Sequence, residues 1–342
     1  MDFTGSHILS VDQFERGDLY PIIEVARRME PFARGRRVTR VLEGAVLANL
    51  FFEPSTRTRI SFGVAFNRLG GAVRDTTGVQ DSSLTKGESI LDMSRVVSGY
   101  ADVIVIRHPK KGAVSEFAEA TNVPVLNGGD GPGEHPTQAL LDLYTIHKET
   151  GRSLKELDGL KIAMVGDLKY GRTVHSLTKL LALFRRVEFT FVSHPDLGMP
   201  DTVIERARER GHTVRVTDNL DAGIADAEVI YSTRTQQERF KNSEDSDQYR
   251  GRYSLTRERF ERSARTGAVI MHPLPRDSRP EANELDADLN ALPNLAVFRQ
   301  AENGVPVRMA LFALVLGVVD EIEKESREAP WFRPKKISDL DP

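Results

Sequence analysis

Six short polar motifs in the 342-residue sequence carry residue types that bind anions and polarise carbonyls. The first, Ser55-Thr56-Arg57-Thr58-Arg59, follows the apolar run LANLFFEP. If Ser55 caps a helix, Thr56, Arg57 and Thr58 fall in its first turn, where free backbone N–H groups and the helix dipole favour an anion. Hydroxyls and an Arg fork then complete a phosphate cradle. The same five residues also make an ordinary Ser-capped helix with solvated arginines, and the letters alone leave both readings open. Arg107 and His108 follow the run DVIVI.

In GEHPTQALLDLY, Pro136 suits the first helical position and His135 the cap. His135 and Gln138 are three apart, so both can point to one side of the helix start. A neutral His and a Gln can grip a polar carbonyl or amide. The competing reading is a His that only ties down the preceding loop. Gly166-Asp167-Leu168-Lys169-Tyr170-Gly171-Arg172-Thr173 has P-loop spacing with Arg in place of the required Lys. No later strand ends in a convincing magnesium-holding Asp, so a helix-start site using Arg172 for a carboxylate is the better reading. Arg234 and Gln236, two apart after an apolar run, share a face if extended and suit a carboxylate and a neutral partner. In His272-Pro273-Leu274-Pro275-Arg276, two prolines form a rigid turn whose carbonyls could hold an amine, or a turn with a purely structural role. Ser82, Ser83 and Lys86 lie in the polar loop DSSLTKGES, where a solvated Lys is the ordinary expectation.

The cations Arg57, Lys86, Arg107, Arg172 and Arg234 stand among these motifs with few carboxylates beside them. The whole chain is slightly acidic, at 47 basic against 50 acidic residues. That concentration implies small ligands with several negative charges, at least one of them a phosphate. The near-neutral balance argues against nucleic-acid binding as the main role. Zero Cys excludes disulfides, thiolate catalysis and Cys-ligated zinc. G-x-S-x-G, H-E-x-x-H and a glycosidase acid pair are missing from the motifs, and no metal site is expected. Anion binding, carbonyl polarisation and positioning remain as the chemistry.

The elements that must hold these motifs are legible as β-rich runs alternating with helical patterns. Strand candidates are Ala45–Phe52, Asp102–Ile106, Val123–Leu126, Lys161–Val165, Val187–Val192, Thr213–Val216, Glu228–Tyr231 and Ala268–Met271. Most are continuously apolar, as parallel strands covered on both faces should be. Helices are expected over Ser55–Leu69, Asp92–Tyr100, Pro136–Lys148, Thr173–Leu183, Thr202–Arg210 and Asn303–Lys324. The expected fold is α/β, with two domains, each a parallel sheet flanked by helices, and a C-terminal helix returning to the first. The domains are expected at 1–148 plus 303–328 and at 149–302, with a polar tail at 329–342. Gln236 to Arg265 reads as a polar stretch containing a mobile surface loop. Each of the six motifs, unlike the DSSLTKGES loop, closely follows a strand, where ligands of open parallel sheets bind. Neither a signal peptide nor a membrane span is visible, so a cytoplasmic protein is expected.

Together, FFEPSTRTR with SF, SLTKGES, VIRHP, HPTQALLDL, GDLKYGRTVHSL, STRTQQERF, HPLPR and QAENGVPVRMALFALVL resemble the aspartate carbamoyltransferase family, catalytic chain. This is a branch of the aspartate/ornithine carbamoyltransferase superfamily. The matches run in family order from about residue 45 to 320. The resemblance implies transfer of a carbamoyl group from carbamoyl phosphate to L-aspartate, giving N-carbamoyl-L-aspartate and phosphate in pyrimidine synthesis. It implies phosphate contacts at Ser55, Thr56, Arg57 and Thr58, and carbamoyl contacts at Arg107, His135 and Gln138. Thr58, Arg107 and His135 would polarise the carbonyl. It implies aspartate contacts at Arg172, Arg234 and Gln236, and backbone carbonyl contacts from Pro273 and Leu274. Ser82 and Lys86 would enter a neighbouring subunit's site, so a homotrimer is the implied unit, with separate regulatory chains an open matter. Ordered binding, domain closure, a tetrahedral intermediate and no metal or organic cofactor are implied.

The ornithine branch carries a Cys in an HCLP segment, whereas this chain reads HPLP. A catalytically silent assembly partner should have lost site cations, and all are kept. The sequence departs from the family at Gly63, where Glu is usual, and at Thr85, where some members have a second basic residue.

Overall fold

The computed structural model describes residues 1–78, 87–237, 240, 249, 251–277, 279 and 282–337. The chain forms two compact units, Met1–Leu141 joined by the chain from Glu302 onward, and Asp142–Ala301.

The first unit begins with α1 (Arg16–Ala33), β1 (Arg37–Thr39), β2 (Val46–Phe51), α2 (Thr56–Arg68) and β3 (Ala72–Thr77). It continues through α3 (Ile90–Ser98), β4 (Val103–His108), α4 (Ala113–Ala118), β5 (Val125–Asp130) and α5 (Pro136–Thr150), the last of which runs into the second unit. Among the described residues its main sheet has the order β3-β2-β4-β5, with every neighbouring pair parallel. Alternate residues of β2 and β4 face opposite layers. Ala48, Leu50, Ile104 and Ile106 pack on Met93, Val114 and Phe117. On α2, Phe62 and Phe66 meet Phe312 edge-on, with ring centroids 5.9 and 5.0 Å apart.

The second unit contains β6 (Lys161–Gly166), α6 (Arg172–Leu181), β7 (Glu188–Val192), α7 (Asp201–Glu209) and β8 (Thr213–Thr217). These are followed by α8 (Leu220–Ile224), β9 (Val229–Thr233), α9 (Arg257–Ser263) and β10 (Val269–Met271). Its all-parallel sheet runs β10-β9-β6-β7-β8. The β6 run is apolar from Ile162 to Val165 and buried throughout, as a central parallel strand requires. The chain then enters α10 (Val297–Val315) and ends its described part beyond β11 (Ser326–Glu328), which pairs antiparallel with β1.

All eight expected strands are present. The elements that sequence patterning missed have weak patterns. The edge strand β3, AVRDTT, is largely exposed, and β1 and β11 have three residues each. Pro21 and Pro31 interrupt α1, which nevertheless buries Leu19, Ile22, Ile23, Ala26 and Met29 at helical spacing.

The final helix differs from the expected Asn303–Lys324. It starts at Val297 and ends at Val315 because Gly317 adopts φ +69°, with the Gly317 and Val318 N–H groups bonded to the Leu314 and Ala313 carbonyls. A left-handed glycine closing the last turn stops a helix even inside an apolar run. The stretch 236–265 is likewise not all loop. Tyr253 and Leu255 are buried in the second unit's core, and α9 follows a Thr256 side-chain cap. The acidic segment 242–247 lies outside the described residues. In the C-terminal segment expected as a polar tail, the Ile337 N–H donates to Glu302 Oε1 at 2.9 Å.

Candidate active site

In the first unit the polar motifs follow the carboxyl ends of neighbouring strands. Phe51 of β2 is in register with Arg107 of β4, and His108 of β4 with Asp130 of β5. The segments holding Ser55–Thr58, Arg107 and His135 therefore share one edge of one sheet. Ser55 is the N-cap residue of α2 in extended conformation, but its side chain makes no capping bond. The ordinary Ser-cap reading thus fails, and the hydroxyl is left out of capping at the helix start, where the first-turn N–H groups point outward. Thr56 and Arg57 are exposed there, while Thr58 is buried.

Asn49 of β2 anchors this helix start from below. Its side-chain amide donates to the Arg59 carbonyl at 3.2 Å and to Asp75 Oδ1 at 2.6 Å. Arg107 is held on two sides, by Glu53 Oε2 at 2.7 Å and by donation to the Gly128 carbonyl at 3.2 Å. Sequence reasoning passed over Glu53, although it lies two residues before the first motif. It neutralises one cation of a site expected to have few carboxylates. The signal was its proximity to the end of β2, one strand away from Arg107.

His135 and Gln138 are both buried. The Gln138 and Ala139 N–H groups donate to the His135 carbonyl at 3.0 and 3.2 Å, so His135 opens α5 through its backbone. Its Nδ1 lies 3.5 Å from Thr137 Oγ1. The loop before it is fixed by Glu134, whose Oε2 accepts from Ser10 Oγ and from the Val11 N–H, both at 2.8 Å. A Cβ at Gly131, which has φ +50°, would collide with the Pro109 carbonyl, so glycine is required for this turn.

In the second unit, Arg172, Arg234 with Gln236, and Pro273 with Leu274 follow β6, β9 and β10, which are adjacent in the sheet. Arg172 is the first residue of α6, behind the uncapping Gly171. The loop between β6 and α6 is fixed by Asp167, almost fully buried, whose Oδ1 accepts from the Tyr170 N–H at 3.0 Å. Its Oδ2 accepts from the Gln236 N–H at 2.9 Å, tying two of the candidate segments together. His175 Nε2 adds a 2.6 Å bond to the Leu168 carbonyl, and burial holds its ring pKa below the ordinary value.

Arg234 and Gln236 do not continue β9, so the period-two face argument does not apply. The strand ends at Thr233, after which Arg234 Nη1 donates to the Thr235 carbonyl at 3.1 Å and Gln236 Nε2 to the Arg234 carbonyl at 3.1 Å. The HPLP segment is a turn, with Leu274 at φ +58° and a cis Leu274–Pro275 peptide. Ser82 and Lys86 lie outside the described residues. Among the described residues no group of three or more His, Asp or Glu side chains is placed to hold a metal ion.

Two parallel α/β units, each with polar and cationic groups on the carboxyl edge of its sheet, define a protein that handles small anionic ligands. Residues 6–148 match the family model for the aspartate/ornithine carbamoyltransferase carbamoyl-phosphate-binding domain, and 158–315 match that of the aspartate/ornithine-binding domain. The aspartate carbamoyltransferase catalytic subunit of Cellvibrio japonicus is 62% identical over 332 residues, covering 97% of this chain and 98% of that protein. That of Saccharophagus degradans is 57% identical over 335 residues, covering 98% and 99%. A Trypanosoma cruzi aspartate transcarbamoylase solved with carbamoyl phosphate and aspartate superposes with a TM-score of 0.84 at 38% identity, covering 92% of this chain and 98% of that one. The catalytic subunit from M. jannaschii gives 0.82 at 44% identity, covering 94% and 100%. The chain belongs to the aspartate/ornithine carbamoyltransferase family.

Proposed function

We propose that this chain works as an aspartate carbamoyltransferase, joining carbamoyl phosphate and L-aspartate into N-carbamoyl-L-aspartate and phosphate in pyrimidine synthesis. The observation that carries the reading within the structure is the start of α2. There an N-cap Ser leaves its hydroxyl out of capping beside an exposed Thr and Arg, on the sheet edge shared with Arg107 and His135. The first domain, 1–148 with 303–328, takes carbamoyl phosphate, and 149–302 takes aspartate, leaving 329–342 as a tail.

Ser55, Thr56, Arg57 and Thr58 receive the phosphate, where helix-start N–H groups and guanidinium charge complement it. Thr58, Arg107 and His135 donate to the carbamoyl oxygen, and Gln138 binds the carbamoyl amide. Arg172, Arg234 and Gln236 hold the aspartate carboxylates. The Pro273 and Leu274 carbonyls accept from its amine.

The neutral amine attacks the carbamoyl carbon, forming a C–N bond while charge builds on the carbonyl oxygen. Donors already in place stabilise that oxyanion more than the ground state. The C–O bond to phosphate then breaks, and the departing phosphate takes the amine proton. No metal or organic cofactor takes part.

A homotrimer completes the site, with Ser82 and Lys86 supplied by the neighbouring subunit. Exposed Leu91, Val96 and Tyr100, at and after α3, support an apolar contact surface on the first unit. Separate regulatory chains and a cytoplasmic location are compatible with this reading.

The test offers carbamoyl phosphate with L-aspartate or L-ornithine to the purified protein, and then mixes two variants. Product with aspartate alone is expected. Arg57→Ala and Lys86→Ala are each expected to be inactive, and to regain activity when dissociated and reassembled together, because one mixed site then holds both native residues. No recovery overturns the shared site, and transfer to ornithine overturns the substrate assignment.

A further inference from the structure

Behind the second unit's sheet edge lies a continuous buried chain of polar side chains that substrate contact does not explain. The Tyr231 hydroxyl donates to Asp142 Oδ2 at 2.7 Å, and Gln300 Nε2 donates to Asp142 Oδ1 at 2.6 Å. Gln300 Oε1 in turn accepts from the His272 backbone N–H at 2.9 Å. Asp142 and Tyr231 are fully buried, and Gln300 and His272 are each 1% exposed. The residues come from α5, β9, α10 and the end of β10, so the chain crosses the unit.

At its end, His272 grips the turn that follows it. The Leu274 N–H donates to His272 Nδ1 at 2.8 Å, which makes Nδ1 an acceptor and leaves the ring proton on Nε2. That Nε2 lies 2.8 Å from Glu284 Oε1, a close polar approach off the line of a good hydrogen bond. Glu284 also accepts from the Asp277 N–H, at 3.2 Å to Oε1 and 3.4 Å to Oε2. The HPLP turn is therefore held at both ends by one His–Glu pair. The held residue, Leu274, sits at φ +58°, a region a branched side chain rarely adopts without support. Its neighbours make such support necessary, since Pro273 and Pro275 have no N–H to give.

We propose that His272, set by Gln300, Asp142 and Tyr231 and backed by Glu284, is a positioning residue that fixes the Leu274 backbone for L-aspartate. The inference rests on the reading that the Leu274 carbonyl meets the aspartate amine. His272 itself does not touch substrate; it selects the backbone conformation that aims this carbonyl. A 1 Å misplacement of such a group is enough to cost binding of one substrate while leaving the other alone.

The experiment compares His272→Asn with His272→Gln in the full-length protein. Asn places an acceptor where Nδ1 stands and can keep the Leu274 bond. Gln reaches toward Glu284 and abandons it. His272→Gln is expected to raise the KM for L-aspartate about tenfold, or about 1.4 kcal/mol, with the KM for carbamoyl phosphate unchanged. His272→Asn is expected to stay within about threefold of the parent for both substrates, although both variants lose thermal stability. Equal KM changes in the two variants, or changes shared by both substrates, overturn the proposal and leave a structural His.

A second readout does not depend on activity or on variants that fold. Nitrogen NMR of the 15N-histidine-labelled parent is expected to show His272 with its proton on Nε2 and Nδ1 accepting. A proton on Nδ1 overturns the clamp. If the parent transfers nothing to aspartate, the functional reading falls, while the NMR result still decides the clamp.

Discussion

The two units carry their candidate ligand residues on the same edge of the same kind of sheet, yet they prepare that edge differently. In the first unit preparation is mostly local to the α2 start, which the buried Asn49 anchors from the sheet. The α2 start is left without a side-chain cap, and Arg107 is restrained by Glu53 and by the Gly128 carbonyl. In the second unit it lies behind the surface. Asp167 organises Tyr170 and Gln236, and the chain through Asp142, Gln300 and His272 organises the turn at Leu274. A phosphate can be met by helix-start N–H groups that point outward by construction. A dicarboxylate with an amine needs donors and carbonyls at fixed angles, and irregular loops give those only when buried side chains hold them.

The comparison breaks most easily in the first unit. Arg57→Ala is expected to lower kcat by two to three orders of magnitude, using about 2.7–4 kcal/mol for a lost charge-stabilising donor. Steady-state kinetics should show a far smaller change in aspartate KM. A loss confined to aspartate KM would move Arg57 to the other substrate. Glu53→Gln should lower kcat about tenfold, by releasing a hydrogen bond to a charged group worth about 1.5–3 kcal/mol, part of which the amide retains. In the second unit Asp167→Asn is expected to raise aspartate KM by about fivefold with little change in carbamoyl phosphate KM, because one oxygen acceptor survives. Steady-state kinetics with each substrate varied in turn checks both.

Two weaker perturbations sharpen the contrast through stability. Gly317→Ala should cost about 1–2 kcal/mol, the left-handed penalty for a residue with a Cβ, read as a shift in denaturant midpoint. His175, His212 and His272 of the second unit have ring pKa values lowered by burial from 6.5. The unfolded chain then binds more protons than the folded one, so stability is full at pH 7 to 8 and falls as pH drops below 6.5. Asp221 and Asp286, also shifted downward, lose their contributions only below their ordinary value of 3.8, in more acid solution. Thermal midpoints measured from pH 8 to pH 5 should therefore decline below about 6.5. A flat profile would show that the folded rings accept protons.

How much of this was legible in the sequence follows the same division. The apolar runs of β2, β4, β6 and β9 announced buried parallel strands, because burial on both faces leaves no alternation to misread. The candidate residues of the first unit stood in contiguous letters, since a helix start collects its donors locally. Glu53, Asp142, Gln300 and Glu284 were not legible as partners, because each acts on a residue from another element. β3 was hidden by its exposure and α1 by its prolines, so period and propensity both pointed elsewhere. The end of the last helix was misplaced for a third reason. Gly317 reads as a tolerated interruption in an apolar run until its backbone sign is known.

The antiparallel pairing of β1 with β11 has a consequence for biosynthesis. Residues 37–39 leave the ribosome long before their partner strand, 326–328, has been made. Phe62 and Phe66 likewise wait for Phe312, though not as long. The second unit, encoded wholly between them, has every strand of its sheet available before that moment. A nascent chain whose residues up to Ala301 have emerged from the ribosome would therefore carry a completed second unit and an unfinished first one, the later part of the message maturing ahead of the earlier.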